Sequence, residues 1–597
     1  MATGRIADRD ALMEALHGAA RLEHALCASY LFAAFSLKRR PEEGGVDWAE
    51  LKEVRDWTGA LLLVARQEME HLGIVGNLLI SIGGTPDFSR HRFPWKPVLP
   101  TDLPEVTLAP FSLPAMNRFV AFERPDFVHL SEMLCRCVAG RSFEDGLAIV
   151  AAQLRADADW DVAEAWAHGP DGWAPVPGAR CAPWGDATRF GPEVRARLGE
   201  AVVQPGFGER RPPFLTQAGG HVVAMAPIGP LGGAAQAAIV MGRTGAGGSH
   251  DSGLIQQMMV QTLANRPGWE PGGCAGEAPL AERLLAAPRA GAAAPGLGQN
   301  QDVPPATIGA FYRGILGGFE RLGPSLFTGD PALEGLNPSF TLVRPDWFNM
   351  NFGPIKDIVG VRAAIDQIIE EGEGTAHGGG TAHADPAAED ASHYERFLTI
   401  RAALSAAQRP GFAPARDVIH DPDDQAVTAP ATRELMALHD RIYALMLQML
   451  TLYYAGVRDG PKGASPGHQA LPHAFLPMMS MAIRTLGEVL TRCGIAEDRG
   501  GAARGPDRAG PPFAAPPPLT CAPASRAQMD AVMDELDALG AEAGRLAQAP
   551  HGWRIADDPA EATARLAAAA DNLARIAVNL RAQLDGGRVA ALPGASR

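Results

Sequence analysis

The chain has 597 residues, of which 46% are hydrophobic and 20% charged, so it carries enough apolar surface for a large core. Its formal net charge is -15, with 53 Lys and Arg against 68 Asp and Glu, which disfavours nucleic acid or an anionic membrane as a partner. The 7 cysteines are thinly spread and form neither a disulfide framework nor a C-x-x-C zinc site. With no export signal or membrane span evident, we expect a cytoplasmic protein that acts on a small molecule.

Runs with apolar residues at helical spacing alternate along the chain with stretches rich in glycine and proline. These runs are too long for ordinary strands, and strand-like alternation is scarce, so the pattern predicts an all-α fold. The last two helices are expected to form a hairpin that packs on its neighbours or on another copy of the chain. In chain order the predicted helices span 8–37, 48–82, 306–322, 360–371, 388–406, 431–456, 473–493, 525–548 and 559–584.

The most informative motif is the E-x-x-H pattern formed by Glu68 and His71. Residues at i and i+3 project from one face of a helix, so these two side chains can bind the same metal ion. The rest of that face is apolar, and a carboxylate turned into it must be paired, neutralised or metal-bound. The alternative is a chance pattern, with a solvated Glu68 beside a core histidine. Glu70 points elsewhere and is expected to pair with Arg66 at the surface.

Further donors lie on other predicted helices. Glu23 interrupts the apolar stripe of the first helix, and its neighbour His24 is expected to be a packing or supporting residue. Glu370 and Glu373 lie one turn apart at a helix end, where fraying leaves open which of Glu370, Glu371 and Glu373 points inward. His393 opens the next helix. Such a set of carboxylates and imidazoles is what a di-metal site in a four-helix bundle requires, and the lack of thiolate favours iron or manganese.

Several short sequence segments resemble the ferritin-like domain of the imine-dimer synthases from violacein- and rebeccamycin-type bisindole pathways. They occur in the family's order within 1–125 and 304–406. The resemblance implies a ferritin-like four-helix bundle with family-matching positions at Glu23, Glu68, His71, Glu370, Glu373 and His393. The segments are LEHA (22–25), EMEHL (68–72), VGNLL (75–79), IGGTP (82–86), PFSL (110–113), FERP (122–125), TIGAFY (307–312), EEGEG (370–374) and SHYERF (392–397).

The resemblance also divides the chain into four parts. Residues 1–125 are expected to form the first half of the ferritin-like bundle, and 304–408 the second half. Residues 126–303 are predicted to be an insertion of mixed helices and loops. An additional C-terminal helical region is predicted over 425–597.

The first functional hypothesis is a metal-dependent oxidoreductase of natural-product biosynthesis. Two Fe ions, or Mn, would act with O2 as co-substrate on a small, amino-acid-derived metabolite. Glu373, as ligand or proton acceptor, and Tyr394 are the catalytic candidates. Tyr30 and Tyr312 are further candidates to line the pocket, although a buried tyrosine is more often a core residue.

Two other hypotheses remain open. One is an enzyme like the imine-dimer synthases that couples two imines, with a secondary or absent role for metal. It needs an apolar cavity closed from water, with the loop 372–386 as a lid, and an upstream amino-acid oxidase. The other, from a different class, is a non-catalytic metal-binding or structural ferritin-like protein.

Overall fold

Six helices of the computed structural model form the part of the chain around the E-x-x-H motif. They are α1 (Arg9–Ser36), α2 (Trp48–Ser81), α3 (Leu113–Phe122), α4 (Ile308–Leu322), α5 (Ile358–Glu373) and α6 (His393–Ala406). The structure describes residues 6–86, 88–89, 92–97, 103–124, 162–169, 172–181, 214–218, 221–228, 237–244, 307–335, 353–373, 391–407, 409–455, 470–496, 507–514, 525–549 and 553–585.

Helices α1 and α2 form an antiparallel pair. The Arg9 side chain donates to the carbonyl of Ile82, and farther along α1 the Cys27 thiol lies 3.4 Å from the carbonyl of Ala65. Helix α4 packs on α1 and on α5, while α5 and α6 both pack on α2. Helix α3 covers α6 from the other side. The inward faces of α1 and α2 are apolar over most of their length, and the few polar residues buried between them include those of the E-x-x-H motif.

Local capping fixes where the site-bearing helices begin. Asp47 and Glu50 form a capping box at the start of α2, so the first free N–H groups of that helix are satisfied. Ser392 and Glu395 form a second capping box at the start of α6. The second box makes His393 the first residue of α6, at the end of the helix that faces α2 and α3.

The described part of the insertion is a five-stranded antiparallel sheet rather than the predicted mixture of helices and loops. Its strand order is β2-β1-β5-β4-β3. The prediction is wrong over 162–169, where the chain forms β1. Alanine-rich alternation such as that of 162–169 is ambiguous in isolation, and cross-strand pairing decides it. The strands are β1 (Val162–Gly169), β2 (Gly172–Cys181), β3 (Phe214–Ala218), β4 (His221–Ile228) and β5 (Ala237–Thr244).

The C-terminal region is helical, as predicted, and packs on the α1–α2 pair. The Tyr454 hydroxyl donates to the carbonyl of Gly73 at 3.0 Å, and the Thr491 hydroxyl donates to that of Phe35 at 3.0 Å. One hydrophobic core therefore runs through both parts. No helix among the described residues is long and apolar enough to cross a bilayer. The C-terminal elements are α7 (Pro430–Ala455), α8 (Pro472–Met478), a π-helical turn (Met479–Ile483), α9 (Arg484–Leu490), α10 (Arg526–Ala547) and α11 (Pro559–Leu584).

Helices α10 and α11 pack side by side as a hairpin, and α11 also contacts α8 and α9. The hairpin thus packs on neighbours within its own chain, the first of the two arrangements expected from the sequence. Packing on a second copy stays a prediction.

Candidate metal centre

Two buried groups of metal-binding side chains lie side by side between the helices. The first is Glu23, Glu68 and His71, and the second is Glu68, Glu123 and His393. Within each group, one ligand atom per residue lies within 4.8 Å of the others. All five residues are buried, none being more than 5% exposed. Glu68 belongs to both groups, which is the arrangement of a carboxylate that bridges two metal ions.

The two carboxylate oxygens of Glu68 face different histidines. Its Oε2 lies 3.4 Å from Nδ1 of His71, and its Oε1 lies 3.0 Å from Nδ1 of His393. The outer carboxylates complete each side, with Glu23 Oε2 3.5 Å from His71 Nδ1 and Glu123 Oε2 3.6 Å from His393 Nδ1. Each oxygen of Glu68 therefore faces one histidine nitrogen and one further carboxylate.

Each outer carboxylate is held by a buried tyrosine. The Tyr312 hydroxyl on α4 donates to Glu23 Oε1, and the Tyr30 hydroxyl on α1 donates to Glu123 Oε1. These hydrogen bonds use the oxygen that does not face a histidine, so they orient the other oxygen towards the centre. Tyr394, a catalytic candidate from the sequence, is buried in the core next to His393 but does not line the cavity beside the centre.

The end of α5 departs from the sequence prediction. Glu370 is exposed and lies outside both groups, whereas Glu371 Oε2 is 3.2 Å from Nε2 of His71. Glu373 lines the cavity beside the centre, and its carboxylate accepts the Gly309 N–H at 3.0 Å. The prediction for Glu370 is thus wrong in placement, because the packing of α5 turns the adjacent residue inward. The proposed lid lies outside the described residues beyond 373.

The cavity at the centre is small. Its volume is about 10 Å³, close to what a single water-sized sphere needs. Its apolar wall contains Leu26, Ile308 and Ile368, and Tyr312 closes one side. Among the described residues the cavity therefore has room for about one water-sized group, and not for a metabolite.

Burial and mutual charge set the protonation of the metal-free centre. Burial, reinforced by the carboxylate of Glu68, raises the pKa of Glu23 to about 8. Burial also opposes ionisation of Glu68, but His393 and His71 outweigh it and hold the Glu68 pKa well below its usual range. Against the effect of burial, Glu68 and Glu123 raise the pKa of His393 to about 9. In the metal-free protein, bound protons therefore offset the negative charge of the carboxylates, a role that metal cations would take when bound.

The donor atoms fit a di-metal site. Glu68 Oε1 and His393 Nδ1 are 3.0 Å apart, yet among the described residues neither atom makes a hydrogen bond, and neither does His393 Nε2. Buried polar atoms without a hydrogen bond are costly and call for a partner. Carboxylate and imidazole donors without thiolate suit iron or manganese.

One member of the two donor groups escaped the sequence analysis. Glu123 follows the apolar helix α3, and its only signal was a place in the FERP segment at 122–125. Glu371, which contacts His71 but belongs to neither group, was one of three glutamates that the sequence left open at the end of α5. Glu70 does pair with Arg66, at 3.4 Å, but it is buried and not at the surface. His24 is a supporting residue as expected, since its Nε2 is hydrogen-bonded to the Tyr443 hydroxyl.

Comparison with known families agrees with this architecture. The family model described as Ferritin-like matches residues 16–162 and 277–402. The chain therefore contains a ferritin-like domain interrupted by an insertion, and the unmatched stretch between the two ranges holds nearly all of the sheet. This match confirms the ferritin-like fold that the sequence segments indicated.

A particular relative is also similar. Dichlorochromopyrrolate synthase from Lentzea aerocolonigenes is 28% identical over 228 residues, which cover 35% of this chain and 21% of the relative. The matched part thus spans about a fifth of that synthase. No solved structure matches the chain significantly.

Proposed function

We propose that the chain is an oxidoreductase of natural-product biosynthesis that uses two iron ions, or manganese, and O2 on a small amino-acid-derived metabolite. The observation that carries the proposal is the sharing of Glu68 by two buried groups of donors. Similarity to a biosynthetic synthase supports an enzyme in general.

The residues present fit the metal ions in defined roles. Glu23 and His71 would hold one ion, Glu123 and His393 the other, and Glu68 would bridge them. When bound, the two ions supply the electrons with which O2 is reduced. Tyr312 and Tyr30 orient the outer carboxylates through their hydroxyls.

In this proposal Glu373 moves a proton at the edge of the centre. It lines the cavity, accepts the N–H of Gly309 at 3.0 Å and lies 3.5 Å from the Arg313 guanidinium. These contacts hold the carboxylate near the donors without making it a member of either group. The apolar walls limit entry of bulk water, which protects reactive species from side reactions.

Imine coupling, which the resemblance to the imine-dimer synthases implies, is the second candidate, and the similar protein is likewise a synthase by name. A coupling site must enclose two substrate units, and ligand pockets of that kind measure about 300–1,000 Å³. The described residues leave about 10 Å³ at the centre, which holds the substrate of neither candidate. The choice therefore depends on the converging carboxylate and imidazole donors, which favour metal and O2 chemistry. A purely structural role does not account for donor atoms that converge without hydrogen bonds, whereas a non-catalytic metal-binding role would use the same donors.

Oxygen uptake by the iron-loaded protein tests the proposal. Protein loaded anaerobically with Fe(II) is expected to consume O2 rapidly when mixed with air-saturated buffer, and His71→Ala is expected to abolish that phase. Glu370→Gln, at an exposed position on α5, is the matched control and should behave as wild type. Uptake no faster than that of free Fe(II) would overturn the proposal.

A further inference from the structure

A second cavity lies where the loop after α1 meets the C-terminal region. Its volume is about 450 Å³, within the usual range for small-molecule sites. It is separate from the metal centre and shares no residue with it. Its lining residues are all charged, namely Lys38, Arg40, Glu42, Glu43, Arg416, Asp417, Arg492, Asp507, Arg508, Asp557 and Asp558.

Two guanidinium groups, the most deeply buried side chains of the lining, form what we call the floor of the cavity. The side chains of Arg416 and Arg492 are 4% and 6% exposed. Arg416 is fully engaged, since it bonds both oxygens of Glu43 and donates to backbone carbonyls of α1 and the loop after it. Arg492 donates through Nη1 to Glu561, but its buried Nε–H makes no hydrogen bond among the described residues. A buried guanidinium N–H without an acceptor calls for one.

The salt-bridge network around these two buried arginines contains more arginines than carboxylates. Glu561 is shared by three arginines, Arg40, Arg492 and Arg565, and Glu488 is likewise shared by three. Counted over the described residues, six arginines contact four carboxylates. The arginines are 39, 40, 416, 484, 492 and 565, and the carboxylates are Glu43, Glu488, Asp558 and Glu561. The lining itself carries both signs, with five basic and six acidic residues, so the buried arginines mark its positive end rather than a positive interior.

The rim of the cavity has the opposite sign. Glu42 and Asp417 are exposed and make no side-chain hydrogen bond or salt bridge among the described residues. Asp557 and Asp507, which pair with Arg508, are 38% and 40% exposed. Water screens these rim charges more strongly than the buried charges of the floor.

We propose that this cavity binds a small zwitterion of the α-amino acid type. Its carboxylate accepts from Arg492 at the floor, and its ammonium group lies against Asp417 and Glu42 at the rim. An anion without a positive charge would accept from Arg492 but would be repelled by the acidic rim. A cation without a negative charge would be attracted by the rim but repelled by the arginines of the floor. A ligand that carries both charges matches both ends, and walls made only of charged residues favour a polar side chain on it.

Matched ligands test the proposal without any metal. L-Glutamine has both charges, 4-carbamoylbutyrate lacks the ammonium group and 4-aminobutanamide lacks the carboxylate. In isothermal titration calorimetry on the full chain, glutamine is expected to bind at least tenfold more tightly than either analogue. Equal binding of 4-carbamoylbutyrate, or no binding of glutamine at millimolar concentration, would overturn it and leave a purely structural ion network.

Variants separate the two ends of the site. Arg492→Gln is expected to weaken glutamine binding at least tenfold. Asp417→Asn, at an exposed rim position, is expected to remove the preference for glutamine over 4-carbamoylbutyrate while leaving the fold intact. Arg441→Gln, which removes an exposed salt bridge to Glu535 away from the cavity, is the control. If Arg492→Gln fails to fold by circular dichroism, Asp417→Asn decides alone, and an unchanged preference in that variant refutes the proposal.

Discussion

Glu68→Gln perturbs both halves of the metal centre at once, because each oxygen of Glu68 faces a different histidine. Glutamine keeps the size of the side chain and removes its charge. We expect the bound metal to fall from about two ions per chain to nearly none. His393→Ala, which changes one donor group only, is expected to keep about one ion.

The electrostatic effect of removing the Glu68 charge can be estimated from the pKa of His393. Its pKa is raised to about 9 from an ordinary value of 6.5, with Glu68 the largest favourable cause and burial acting against it. Return of this pKa to its ordinary value corresponds to about 3 kcal/mol of lost stabilisation of the imidazolium. In metal-free Glu68→Gln, His393 is therefore expected to be neutral at pH 8.

Elemental mass spectrometry measures the metal, and NMR titration of the histidine ring protons measures the pKa. Glu371→Gln and Glu370→Gln are a matched pair for the same assays. Glu371 contacts His71 and Glu370 is exposed, so only the first is expected to weaken metal binding. Two tightly bound ions in Glu68→Gln, or a His393 pKa still near 9, would refute the assignment of Glu68 as the shared carboxylate.

Three further outcomes follow from the same geometry. A Cβ at Gly309 would overlap the carboxylate of Glu373, which is the flexible end of a side chain and can rotate away. Gly309→Ala is therefore expected to lower the free energy of unfolding by less than about 1 kcal/mol in thermal denaturation. Gly317→Ala on the same helix meets nothing within 4 Å and should be neutral or stabilising. The metal-free protein is expected to lose stability from pH 6 to pH 9 in urea denaturation. Glu23 and His393 have raised pKa values of about 8 and about 9, and the stability they contribute is full below their ordinary values and lost as pH rises through the raised ones. A free energy of unfolding that stays constant or rises over this pH range would contradict the prediction. In Glu23→Gln the loss of stability below pH 8 should be smaller than in wild type. Saturating Mn(II) should raise the melting temperature of wild type and leave that of the Glu68 variant unchanged.

Much of the bundle was predictable because local rules determine it. The period of apolar residues predicts the long helices, and the i, i+3 spacing places Glu68 and His71 on one face whatever surrounds them. The apolar stripe around Glu23 likewise predicts its burial. The Ser392 and Glu395 capping box makes His393 the first residue of its helix, a purely local effect.

Local rules do not determine which side chain at a helix end faces the centre, nor which residues far apart in sequence come into contact. The sequence offers Glu370, Glu371 and Glu373 on equal terms, and only the packing of α5 on α2 and α4 turns Glu371 towards His71. Glu123 enters the centre because α3 packs on α6, a contact between residues far apart in sequence.

The sequence by itself determined the helical class, the ferritin-like resemblance and most of the metal donors, since these depend on spacing along single helices. The tertiary structure alone decided that Glu68 is shared, that tyrosines hold the outer carboxylates, and that arginines from the loop after α1, the segment after α9 and other loops converge on a second cavity. The physical reason is that a charge acquires its role from the partners that burial brings within a few ångströms, and those partners come from distant parts of the chain.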